Sequence, residues 1–245
     1  MSSRYTMQER LAGWGTEGQT RLADSTVVVL GLGGLGGTAA MLLARAGVGR
    51  LRLVDPDQVA LDNLHRQLLY DEADAALAAP KAHAAARHLA QANQETTLEP
   101  VEEAFGQDNG AALLNGADLV LDCLDQPEPR FGLNQICLEL GLPWVHAGVT
   151  ATQGQVLVLR PGLTACLRCW LPQPSRPALT SDRNGILGPA ASLMASLQAN
   201  EALKLLLGRE ESLLKGMLVV RLWPPSFREV RFSRQGQKPC PVCGY

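Results

Sequence analysis

The residues equipped for chemistry begin with a glycine run, Gly31-Leu32-Gly33-Gly34-Leu35-Gly36-Gly37, with Asp55 standing 24 residues after Gly31. Glycines at 31, 33 and 36 have the spacing of a phosphate-binding turn. Gly31 permits the tight turn, Gly33 lets the backbone approach a phosphate, and Gly36 lets the following helix pack closely. The helix N-terminus behind them offers free N–H groups and a positive dipole end to an anion. Asp55 closes the next strand, where a carboxylate can hold ribose hydroxyls. A second group, Asn63, Arg66 and Gln67, follows just past Asp55, and Lys81 opens a helix behind Pro80. The glycines and Asp55 point to a nucleotide without choosing between NAD and ATP. An Arg and a Lys converging on the phosphates suit cleavage of a triphosphate, because charge grows on its oxygens in the transition state. Asp125, just past a later strand, has the chemistry to hold Mg²⁺ on such a triphosphate. The last group is two thiol pairs, Cys166-Leu167-Arg168-Cys169 and Cys240-Pro241-Val242-Cys243. Two such pairs suit a closed, structural four-thiolate Zn²⁺ site, with unrelated thiol or redox pairs as the alternative.

The elements that must position these groups alternate. Strands are predicted at 26–30, 50–55, 96–101, 117–123 and 144–147, and helices at 37–47, 80–92, 108–115 and 127–141. Near-continuous apolar strands of this kind imply a doubly wound, mostly parallel Rossmann-like α/β sheet with helices on both faces. After about residue 152 the pattern changes. A strand at 155–160 leads to a polar Pro- and Gly-rich loop at 171–188, a long apolar helix at 189–207, and two strands at 217–222 and 227–232, expected to pair antiparallel and joined by Pro224-Pro225-Ser226. One domain is expected: N-terminal helices in 1–25, a nucleotide-binding part in 26–150, and a C-terminal antiparallel extension with the zinc site in 151–245. Cys123 and Cys137 read as small core residues. His65, His83, His88 and His146 show no ligand spacing, and His83 and His88 read as surface residues.

Composition narrows the class. Of 245 residues 46% are apolar and 19% charged, so a substantial core is expected. The formal charge of −2, from 22 basic and 24 acidic residues, argues against a general nucleic-acid or membrane-surface binder. There is no apolar run of about 18 residues and no basic-then-apolar leader, so a cytoplasmic protein is expected.

Together these motifs resemble the bacterial ThiF/MoeB/HesA adenylyltransferases, relatives of the ubiquitin-activating enzymes. The resemblance is carried by the Gly31–Gly36 run, Ala46-Gly47-Val48-Gly49, Asp55-x-Asp57-x-Val59-x-x-x-Asn63-Leu64-x-Arg66-Gln67, Pro80-Lys81, Leu121-Asp122-Cys123-x-Asp125 and both cysteine pairs. It implies ATP and Mg²⁺ as cofactors. It also implies, as substrate, the Gly-Gly C-terminus of a small ubiquitin-like sulfur carrier, whose carboxylate attacks the α-phosphorus to give an acyl-adenylate and pyrophosphate. The activated carrier would serve thiamine or molybdopterin synthesis, or a specialised pathway. By position, Gly31, Gly33, Gly34 and Gly36 would cradle the nucleotide with Asp55 and Asp57. Asn63, Arg66 and Lys81 would neutralise the phosphates, Gln67 would join the nucleotide-binding set, and Asp125 would hold the metal. Arg66, Lys81 and Asp125 would be catalytic, the 171–188 loop would cross over the carrier tail, and the enzyme would be a homodimer.

The chain departs from the family pattern in places. Arg4-Tyr5-Thr6-Met7-Gln8 puts Met7 where the family has an Arg that reaches the partner's site, with Arg10 as the nearby substitute. Ser181 stands where many members carry a loop Cys, and Leu124 and Gln126 flank Asp125 where the family has Thr and Asn. Two rival readings follow, an NAD-dependent oxidoreductase from the glycines and Asp55, and a non-catalytic scaffold for a ubiquitin-like partner from Met7 and Ser181.

Overall fold

A computed structural model describes residues 4–171, 185–233 and 239–244. Most of the expected crossover loop at 171–188, Ser181 included, lies outside the described residues. Two short helices, α1 (Thr6–Glu9) and α2 (Gly15–Asp24), lead into the sheet. The alternation then runs β1 (Thr26–Leu30), α3 (Gly36–Ala46), β2 (Arg50–Val54), α4 (Glu72–Ala76), α5 (Lys81–Ala92), β3 (Thr97–Val101), α6 (Gly110–Leu114), β4 (Leu119–Asp122), α7 (Pro127–Leu140) and β5 (Trp144–Thr150). It ends with β6 (Gln153–Leu159), α8 (Leu167–Trp170), α9 (Gly188–Leu206), β7 (Met217–Leu222) and β8 (Pro225–Val230). The last strand starts two residues before the expected 227, because the turn tightens to Trp223-Pro224 and Leu222 pairs directly with Pro225.

The sheet order is β3-β2-β1-β4-β5-β6-β7-β8. β3 through β5 are parallel, whereas β5 to β8 pair antiparallel. This is the expected mostly parallel α/β fold with an antiparallel C-terminal extension. Because side chains alternate along a strand, the apolar strands feed two cores. Val27, Val29, Leu51, Leu53, Leu119 and Leu121 face α3, α5 and α9. Val28, Leu30, Val54, Val120 and Trp144 face α6, α7 and α8. The chain reverses its direction of sheet growth between β1 and β4, and open α/β sheets bind ligands outside the strand ends at such a point.

One expectation is corrected. His88 is not a free surface residue: its Nε2 lies 2.6 Å from the buried Asp74 carboxylate, which also holds Arg87 and accepts the Asp71 N–H, while the Asp71 carboxylate caps α4 by accepting the Asp74 N–H. The α4–α5 turn brings these groups together across 14 residues, which helix spacing alone does not reveal. His83 is exposed, as expected.

Close backbone packing at the start of α3 sets a test. A Cβ on Gly36 would stand 1.8 Å from the Gly31 carbonyl oxygen. Gly36→Ala is expected to destabilise the fold by about 1–3 kcal/mol or more in urea titrations, as overpacking does. Gly132→Ala, where a Cβ meets nothing within 4 Å inside α7, is expected to stabilise by up to about 1 kcal/mol. Equal effects at both positions would contradict the packing argument.

Candidate active site

The site is built on the turn after β1. Gly31 has φ +86°, and a Cβ there would lie 2.7 Å from the Cys123 carbonyl oxygen at the end of β4. Asp55, 4% exposed, accepts the N–H of Leu32 at 2.6 Å and that of Asp57 at 2.8 Å. The Tyr70 hydroxyl donates to the Leu32 carbonyl at 2.8 Å. These bonds hold the glycine turn from both sides. Burial pushes the Asp55 carboxyl up, against the pull of Lys81 and the two N–H donors.

In front of this turn lies a cavity of about 880 Å³. Gly31, Gly33, Gly34, Asp55, Asp57, Asn63, Arg66, Gln67, Lys81 and Asp125 all line it. Gly36 does not; its place is in the helix–strand packing described above. Lys81, the first residue of α5, is nearly buried and donates to the Asp57 carboxylate at 2.8 Å. Gln67 donates to Asn63 Oδ1 at 2.9 Å, and its own buried Oε1 has no partner among the described residues. Arg66 donates to the Asp62 carbonyl at 3.1 Å and meets His65 Nε2 at 2.8 Å. Asp125 is exposed at the cavity mouth, in the bend after β4.

Residues that sequence reasoning missed lie beneath the floor, with Arg130 among them reaching the cavity. Asp122 and His146 are cross-strand partners, both fully buried, with Nδ1 2.6 Å from Oδ2. Arg130 of α7 places Nε 3.2 Å from the same carboxylate and also donates to the Leu124 carbonyl. Gln198 of α9 donates to the carbonyls of Asp122 and Val145 at 2.9 and 2.8 Å. Burial alone would raise the Asp122 carboxyl; Arg130 and His146 outweigh it and hold the group below the usual carboxylate range. Burial lowers the His146 imidazole, so it is neutral near pH 7. Beyond this floor the cavity continues over Gly148, Val149 and Thr150 of β5, Gln153, Gly154 and Gln155 of β6, and Val219 and Arg221 of β7.

The arrangement suits an elongated anionic ligand, with phosphates at the glycine turn and a second segment over the antiparallel strands. A thiol nucleophile is not on offer at the floor. Burial raises the Cys123 thiol and pushes Cys137 up to about 12. Away from the cavity, Cys166, Cys169, Cys240 and Cys243 cluster, with Sγ separations of 3.9, 3.9 and 3.7 Å. Sulfurs held about 2.3 Å from one tetrahedral centre stand about 3.8 Å apart, so these thiols fit a four-coordinate metal.

Comparison with known proteins adds the following. The ThiF family model matches residues 5–242. The chain is 37% identical to the sulfur carrier protein ThiS adenylyltransferase of Escherichia coli, over 98% of this chain and 94% of that protein. It is 35% identical to the protein of the same name from Bacillus subtilis, over 100% and 72%. It is 36% identical to the vegetative HesA protein of Trichormus variabilis, over 98% and 89%. Among solved structures, E. coli MccB with ATP superposes with a TM-score of 0.81 at 23% identity, covering 100% of this chain and 75% of that one.

The buried ion cluster generates a pH test. Because Asp122 titrates below its ordinary 3.8, its ionised form contributes stability that is present above that value and lost as pH falls through the depressed one. Asp122→Asn strands Arg130 against a neutral amide. It is expected to cost about 3–5 kcal/mol near neutral pH, with the difference from wild type shrinking below about pH 4, in urea titrations. A difference that stays constant down to about pH 2 would show that the carboxylate is not held ionised by these partners.

Proposed function

The chain belongs to the ThiF family, and we propose that it uses ATP to activate the C-terminal glycine carboxylate of a small ubiquitin-like sulfur carrier. It is an adenylyltransferase of the ThiF/MoeB type. The observation that carries the proposal is the convergence of the glycine turn, Arg66, Lys81 and Asp125 on one cavity that runs on over β5–β7. In this reading the nucleotide lies against Gly31, Gly33 and Gly34, and Asp55 accepts ribose hydroxyls on lone pairs left free by its two backbone donors. Asn63, Arg66, Gln67 and Lys81 take the phosphates, and Lys81 leaves Asp57 for them. The carrier carboxylate attacks the α-phosphorus, an acyl-adenylate forms, and pyrophosphate leaves.

A carboxylate and a triphosphate repel each other. The protein's share of the work is therefore positioning and charge neutralisation, with no covalent step through a side chain. Mg²⁺ held by Asp125 would supply further charge neutralisation on the phosphates. Zn²⁺ on the four cysteines would tie the C-terminal segment to α8 and supply stability alone, because four thiolates leave no open position. The proposal extends to a cytoplasmic homodimer serving thiamine or molybdopterin sulfur transfer, with Arg10 standing in for the Arg that Met7 replaces. Met7 is 72% exposed, and Arg10 Nη1 lies 3.7 Å from its sulfur, so both are presented on one surface.

ATP–pyrophosphate exchange with Mg²⁺ and candidate Gly-Gly-ended carriers tests the reaction. Exchange that depends on one carrier is expected, falling on the order of 10²-fold or more in Arg66→Ala and Lys81→Ala. Near-normal exchange in either variant would contradict its role, and ATP binding with no exchange for any carrier would support a scaffold instead. Metal analysis is expected to return about one zinc per chain, lost together with thermal stability in Cys169→Ser. A zinc-free protein of unchanged stability would rule the metal site out.

A further inference from the structure

We propose that Gln155 reads the main chain of the substrate's C-terminal segment, and that the buried Asp122–His146 pair serves to fix which end of its amide faces that segment. This inference rests on the carboxylate-activating reading above and names the group that recognises the tail.

Three side chains in a row fix where the protons sit. An ionised Asp122 only accepts, so the His146 Nδ1 that faces it at 2.6 Å carries the proton. A neutral imidazole then has a bare Nε2, which only accepts. Facing that nitrogen at 3.2 Å is the Gln155 amide, which must turn its NH₂ toward it. The amide is planar, so its carbonyl oxygen points the other way. Gln155 is half-buried and lines the cavity, and this oxygen has no hydrogen-bond partner among the described residues. A free glutamine surrounded by water can rotate its amide to suit either kind of ligand atom; this one is locked as an acceptor.

The surroundings say what would donate to it. Gln155 lies across Gly148, its partner on β5, so on that side the surface beside it is low and without a side chain, while Val219, its partner on β7, bounds it on the other. The Thr150 hydroxyl on the same stretch of cavity is buried and lacks a partner among the described residues, a second polar group open to a ligand. A low glycine floor flanked by an obligate acceptor fits an extended peptide whose backbone N–H groups come within hydrogen-bonding distance. This recognition is independent of the substrate's side chains and favours small terminal residues.

The test is ATP–pyrophosphate exchange by the full chain, driven by short synthetic peptides ending in Gly-Gly. In a companion series, each backbone N–H near the C-terminus is replaced in turn by an ester oxygen. One ester is expected to raise KM about fivefold to tenfold, the effect of one neutral hydrogen bond, with kcat little changed. In Gln155→Leu the same ester is expected to cost nothing further. His146→Ala lowers stability by removing one of the two partners of Asp122, but its diagnostic is the ester-to-amide KM ratio, which falls toward one; loss of folding alone does not change that ratio. A series in which no ester matters, or in which the ester penalty persists in Gln155→Leu, would overturn the inference and leave the adenylation reading intact. Absence of exchange with every peptide and every full-length carrier would overturn both.

Discussion

Everything at the active site depends on how closely one stretch of backbone can approach another. Gly31 turns with a positive φ against the end of β4, and Gly36 starts α3 almost in contact with the Gly31 carbonyl. Side chains at these points would push the helix away from the strand, and with it the glycine turn that lines the cavity. Asp55 and Tyr70 then grip Leu32 from its two backbone polar groups. The turn is therefore preorganised before any ligand arrives, and preorganised donors are those that stabilise developing charge at least reorganisation cost.

The electrostatics around this turn are arranged in layers. Lys81 and Asp57 neutralise each other at the rim, while Arg130 and His146 compensate Asp122 in the floor. The two pairs differ in consequence. Asp57 is well exposed, so water can replace it and Lys81 can change partners at little cost. Asp122 is wholly buried, so its partners are fixed. A cation that can move and a floor that cannot are what a reaction between two anions requires.

Much of this was legible in the sequence where a role depends on local spacing. The glycine run, Lys81 behind Pro80 and each thiol pair are patterns of residues a few positions apart, and Asp55 is placed by the end of the strand that follows. The alternation of apolar strands with helices likewise announced a parallel sheet. The floor was not legible, because its members meet only through the topology. Asp122 and His146 become neighbours when β4 and β5 pair, Arg130 arrives from α7, and Gln198 from α9. A lone histidine in an apolar strand reads as a core residue until its cross-strand partner is known. The same blindness misplaced His88, whose partner Asp74 sits on another helix. The strand order and the antiparallel extension of the cavity over β5–β7 could be drawn only once the sheet was assembled.

The central claim is that a carboxylate, and not water or a protein group, attacks the α-phosphorus of ATP in this cavity. Isotope transfer tests it most directly. A Gly-Gly-ended carrier labelled with ¹⁸O in its terminal carboxylate would be turned over with ATP, the adenylate cleaved at its carbonyl carbon by hydroxylamine, and the products examined by ³¹P NMR. The account predicts AMP carrying one ¹⁸O and pyrophosphate carrying none. Unlabelled AMP, or ADP with labelled inorganic phosphate, would contradict it.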